Sequence, residues 1–249
     1  MTSKSPPRTF SRLILWEIEN NLSIPLLSVI VATATVAVLL QTSSMRFTHF
    51  YYDLSSGMGT IFLILTFVAC VLFSHSFAGG FARGDLKRLL SYPVKRWQVF
   101  LSKTLTLNLI IFSIYASAYA TNLYMYSISL LEPLFYVSLF AIFLQLLFVC
   151  AVAVGISMIT KNELMSIVVS FMLLFGLDSI FSYNSVFSSF GRFRGIFGYF
   201  EQMTHDTHNV SPVAITFEEF TSSVVFPLLT AVIVLVVAFV YFTRKMEVD

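Results

Sequence analysis

The only tight His/Asp cluster in the 249 residues is His205-Asp206-Thr207-His208. Such a spacing could offer metal ligands, but no third Cys, His or carboxylate stands where it would complete a coordination shell. A solvated loop is the simpler reading, and no metal site is expected. The neighbouring Asn209-Val210-Ser211 matches a glycosylation acceptor, with Pro212 directly after it.

Other reactive patterns are missing. No Gly-x-x-x-x-Gly-Lys-Ser/Thr loop is present, and the nearest glycines, Gly79, Gly80 and Gly84, lack the lysine and the preceding strand. Neither a His-Glu-x-x-His zinc motif nor a Gly-x-Ser-x-Gly elbow occurs. No catalytic residue and no cofactor are therefore expected in this chain, and a hydrolase would need machinery that the sequence does not display.

Four polar residues, His75, Asn108, Gln145 and Asp178, lie inside long apolar blocks. Burying them in hydrocarbon is costly, so each is a candidate for a substrate pathway. Hydrogen bonding between helices explains them equally simply. They do not form the run of carboxylates that a proton-driven transporter would need, and no paired broken helices point to inverted repeats.

The blocks that hold these residues define the chain. Its composition is 57% hydrophobic and 11% charged, whereas an ordinary soluble domain is about a quarter charged. A helix needs about 20 residues to cross a hydrocarbon layer of about 30 Å. Apolar blocks of that kind fall at about 22–40, 57–79, 104–126, 134–159, 164–181 and 222–242. Backbone polar groups in lipid must be satisfied within the segment, which makes each block a helix. The expected fold is an all-α membrane protein with six transmembrane helices in a single domain, 1–249. The first block is too long for a signal peptide, although Lys4, Arg8 and Arg12 precede it and Ala32-Thr33-Ala34 resembles a cleavage site. Cys70 and Cys150 sit in separate spans and read as small buried residues.

Six spans place both termini on one side. That side carries Lys4, Arg8, Arg12, Arg83, Lys87, Arg88, Lys95, Arg96, Lys103, Lys161, Arg244 and Lys245, and the other side only Arg46, Arg192 and Arg194. By the positive-inside rule the termini are cytoplasmic. Topology accounts for the basic residues, so nucleic acid is not an expected partner; membrane lipid is.

The cytoplasmic connection between the second and third spans contains a short amphipathic helix. Asp85 starts it, Leu86, Leu89 and Leu90 share one face, and Pro93 ends it. Resting on lipid headgroups is one use for such a helix; docking a partner is another. A further short interfacial helix is expected over Thr9–Asn20, although Leu15 and Trp16 interrupt its apolar stripe. On the outer side, Phe187–Phe200 is rich in aromatic residues and glycine. It is too apolar to sit free in water and too charged to span, so it is expected to fold back against the outer ends of the spans.

The stretch from Gly84 through Leu89-Leu90-Ser91-Tyr92-Pro93-Val94-Lys95-Arg96 to Lys103 resembles the permease subunits of type-2 ATP-binding-cassette exporters. That family carries a Gly, a Leu-Leu-Ser-x-Pro-Val/Ile-x-Arg core and a following Lys at this topological place. The N-terminal interfacial helix, the fold-back region with Ser211-Pro212 and the tail Arg244-Lys245-Met246-Glu247 fit it as well. One departure stands out: family members often carry an acidic residue shortly before the Gly, and Phe77–Arg83 contains none.

The resemblance implies a plasma-membrane permease without an ATPase site of its own. It would pair with a second permease copy or a homologous permease and be driven by a separate ABC ATPase subunit, which would bind the ATP and Mg. Asp85, Leu86, Lys87, Arg88, Leu89, Leu90 and Ser91 would then form the coupling helix. Substrate would pass outward between the two permeases. A non-transporting anchor or assembly subunit of a larger membrane complex is the alternative.

Overall fold

A computed structural model describes residues 10–21, 28, 31–36, 50–91, 94–125, 131, 133–181, 185–204 and 215–244. All regular structure among them is helical. In chain order the elements are α1 (Phe10–Asn21), α2 (Phe50–Ser74), a π turn (His75–Gly79), α3 (Gly80–Ala82), α4 (Asp85–Ser91), α5 (Arg96–Met125), α6 (Pro133–Thr160), α7 (Glu163–Ile180), α8 (Ser189–Thr204) and α9 (Phe217–Arg244). Residues 31–36 are helical too.

Five helices are long and apolar enough to cross a membrane: Ile61–Ala82, Arg96–Thr121, Pro133–Thr160, Glu163–Ile180 and Phe217–Arg244. They fall on the second to sixth expected blocks. The expected first span, 22–40, lies mostly outside the described residues, as do the His205/His208 cluster, Asn209 and Ser211-Pro212. The helix of the third block begins at Arg96 rather than near Thr104, and Lys103 within it is paired with Glu17 of α1.

The centre of the bundle is α6, which packs against α2, α5, α7, α8 and α9. It carries no charged residue, and apolar side chains all round suit a helix surrounded by others. Its two-residue connection to α7 is tight: Lys161 adopts φ 50°, and the Asn162 side chain caps α7 by accepting from the Met165 backbone N–H at 3.2 Å. The outer faces of α7 and α9 remain apolar and exposed, with Leu164, Met172, Ile233 and Val237 among them. Such faces suit lipid, where apolar surface carries no penalty.

The aromatic run after α7 folds back as a helix, α8, from Ser189 on. A helix closes its backbone hydrogen bonds internally, which a segment packed among spans requires. Phe193, Ile196 and Phe197 are buried against α2, α6 and α9 at the end of the bundle opposite α4. The glycines serve contact here. A Cβ at Gly191 would collide with the Ser185 carbonyl, and one at Gly195 with the Ser223 hydroxyl.

Candidate functional site

Gly84 turns the chain into α4 with φ 75°, a left-handed conformation that glycine adopts without strain. Asp85 is the first residue of α4, and its carboxylate lies 3.2 Å from Arg83 Nε. Leu86 and Leu89 are buried, only 1% and 5% exposed, and Leu90 is half-buried. The leucine face therefore turns into the chain's own bundle. Leu86 rests so close to Gly80 that a Cβ there would lie 3.2 Å from it. Helical register puts positions 87, 88 and 91 on the side away from the leucines.

Beside α4 lies a charge cluster built from three elements. His75, in the π turn, has Nδ1 2.7 Å from Oε1 of Glu163, the first residue of α7. That distance is a hydrogen bond, so one proton lies between the two atoms. Arg83 Nη1 reaches Glu163 Oε2 at 3.2 Å, and Nη2 donates to the His75 carbonyl at 3.2 Å. Its guanidinium also approaches the imidazole nitrogens, with Nη1 3.3 Å from Nδ1 and Nη2 3.3 Å from Nε2. The three side chains are partly exposed, 44% for His75, 43% for Arg83 and 31% for Glu163.

The next residue of the π turn belongs to a second, buried network. Ser76 Oγ is 3.4 Å from Nζ of Lys103 on α5, and that Nζ is 3.1 Å from Glu17 Oε1 on α1. Glu17 is fully buried and Lys103 nearly so. Helix α1 is thus held to α5 by Leu13 in the core, by the Phe10–Trp97 ring contact at 5.9 Å and by this ion pair.

The four polar residues of the apolar blocks do not converge. His75 belongs to the cluster at the α4 end. Asn108 donates to the Thr104 carbonyl at 2.8 Å and to Cys150 Sγ at 3.2 Å, joining α5 to α6. Asp178, at the other end of the bundle, accepts from the Ser189 N–H at 2.6 Å and the Ser189 hydroxyl at 2.8 Å. It caps α8, where a carboxylate also meets the positive end of the helix dipole.

Gln145 links the core to α8. Its Oε1 accepts from Arg192 Nη2 at 2.6 Å. Arg192 Nη1 donates to the carbonyls of Val186 and Phe187, both at 3.0 Å, and the guanidinium lies 4.6 Å from the centre of the Phe148 ring. Burial lowers the Arg192 pKa to about 10, an effect that Asp178 opposes, so the group stays cationic at neutral pH. Gln145, Arg192, Ser189 and Ser223 line a small pocket between α2, α6, α8 and α9.

Sequence reasoning missed Glu163, Glu17 and Arg192 as members of these networks. Each pairs with a residue far away in the chain, so no local pattern marks it. Among the described residues no group of three or more His, Cys, Asp or Glu is arranged to hold a metal ion.

A family model described as "ABC-2 family transporter protein" matches residues 21–177. No curated protein matches the chain.

Proposed function

Because the chain belongs to the ABC-2 family of transporter proteins, whose match covers more than half of its length, we propose that it is the permease half of an exporter driven by a separate ATPase. Family membership and the five long apolar helices make it a multi-pass membrane transport subunit rather than the ATPase itself. The finer reading is six spans with cytoplasmic termini in the plasma membrane, working as a dimer with a second copy or a homologous permease. The partner subunit would bind ATP and Mg, and cargo would pass between the permeases.

The observation that supports this reading best is the construction of α4. A seven-residue helix is too short to be stable alone in water. It is held in shape from inside by Leu86 and Leu89 and from the side by the Arg83–Asp85 pair. Helical register puts positions 87, 88 and 91 on its other face, the one that would meet the ATPase. The leucines thus act as the seat of the coupling helix, and the basic positions make the contact and steer the approach.

Purification in mild detergent tests the reading. A subunit that hydrolyses ATP in a Mg-dependent way should co-purify with the chain and be lost when Lys87 and Arg88 are both replaced by Glu. If no such subunit is retained by the unaltered chain, the anchoring role becomes the better reading.

A further inference from the structure

We infer that the π turn His75–Gly79 is the joint through which movement of α4 reaches the membrane helices, with Arg83 and Lys103 as its positioning residues. The inference rests on the coupling role proposed for α4. A π turn interrupts the regular hydrogen-bond ladder, and such interruptions are where helices bend or are re-aimed. This one lies near the end of the apolar helix Ile61–Ala82, with only α3 and the turn at Arg83-Gly84 between it and α4.

Two consecutive residues of the turn are tied to different helices. His75 is bound to Glu163 of α7 and in contact with Arg83. Ser76 is in contact with Lys103 of α5, and through it with Glu17 of α1. The two ties differ in kind. The Glu17–Lys103 pair is buried, and parting a buried pair strands a charge, so it forms the fixed side. The His75–Arg83–Glu163 cluster is partly exposed, where an ion pair is weak and can open and re-form at little cost.

Neither tie leaves α4 free to slide independently. Leu86 bears directly on Gly80, next to the turn, and Arg83 holds Asp85 at the start of α4 while gripping Glu163. At Gly79 a Cβ would collide with the Glu163 carboxylate. A push on α4 must therefore either rotate the π turn about its Lys103 anchor or open the Arg83 fork. Both results reach α2 and α7, which carry the displacement across the bundle.

The test uses the complex of this chain with its ATPase in lipid nanodiscs. A single reporter cysteine replaces Ile180, 79% exposed at the far end of α7, and carries an environment-sensitive fluorophore. The probe is MgATP trapped with vanadate. Arg83→Gln should retain the ATPase subunit but lower the amplitude of the fluorescence change about tenfold, the scale of a coupling mutation. The exchanged pair Arg83→Glu with Glu163→Arg should restore about half of it or more, which a merely structural loss would not show. Gly80→Ala, which shifts Leu86 without touching a charge, should lower the amplitude too and serves if Arg83→Gln does not assemble. Full amplitude in Arg83→Gln or in Gly80→Ala, or no recovery in the exchanged pair, overturns the inference. Failure of the unaltered chain to retain an ATPase overturns instead the coupling role on which it rests.

Discussion

Lys103 on α5 and Glu17 on α1 form an ion pair of 3.1 Å with the Glu17 side chain fully buried. The pair fastens the N-terminal helix to the bundle, and Ser76 connects it to the π turn. Taking charges out of water is costly, and the attraction between them offsets that cost only while both are present.

Removing one partner should accordingly harm the protein far more than removing both. Glu17→Gln alone is expected to cost about 3 kcal/mol or more, while Glu17→Gln with Lys103→Met should cost much less. Thermal denaturation in detergent, followed by size-exclusion chromatography, reads the difference. A loss in the double variant equal to the sum of the losses in Glu17→Gln and in Lys103→Met alone would show that the pair is not energetically coupled.

At the opposite end, Gly195 lies against Ser223 of α9. Gly195→Ala should destabilise the packing of α8 by about 1–3 kcal/mol, the usual effect of overfilling a packed site. Ser223→Ala, which removes the oxygen nearest the new methyl group, should recover part of that loss. Hydrogen exchange across Ser189–Thr204 is the measurement, and protection unchanged by Gly195→Ala would contradict the packing described.

Arg192 makes three hydrogen bonds from one planar group, to Gln145 and to two carbonyls. Lysine cannot reproduce that fork, so Arg192→Lys is expected to loosen the segment 185–204 nearly as much as Arg192→Met does. Proteolysis within that segment should accelerate in both variants. Since the group keeps its charge until the pH approaches about 10, no titration of Arg192 should alter stability around neutral pH.

Lys161 holds φ 50° in the link between α6 and α7. Lys161→Gly should stabilise the link by about 0.5–1 kcal/mol and Lys161→Val should weaken it, because a β-branched side chain disfavours the left-handed region. Melting temperatures of the two variants should move in opposite directions.

Much of the fold could be read in the sequence, because block length alone identifies long apolar helices. The site was less legible. Leu86, Leu89 and Leu90 mark an amphipathic helix, but the same spacing serves a helix seated on its own bundle and one that offers its leucines to a partner; only the packing against Gly80 decides. His75 and Glu163 are 88 positions apart, so nothing in the local pattern joins them. The carboxylate that Arg83 meets comes from Glu163 of α7, 80 positions on. Nothing in the sequence marks Gly191 and Gly195 as the points where α8 can approach its neighbours. Asp178 looked like an intramembrane carboxylate until the helix it caps was in place.

The central claim is that α4, seated by its leucines, presents its other face to an ATPase. The most direct measurement is retention of that ATPase by the purified chain carrying Lys87→Glu with Arg88→Glu, against Leu86→Ala as a variant of the seat. The account predicts that the charge reversal abolishes retention with the melting temperature of the bundle unchanged. Leu86→Ala should lower the melting temperature, by the roughly 2–5 kcal/mol that a buried leucine cavity costs. If the charge-reversed chain retains its ATPase and supports normal hydrolysis, the coupling surface lies elsewhere.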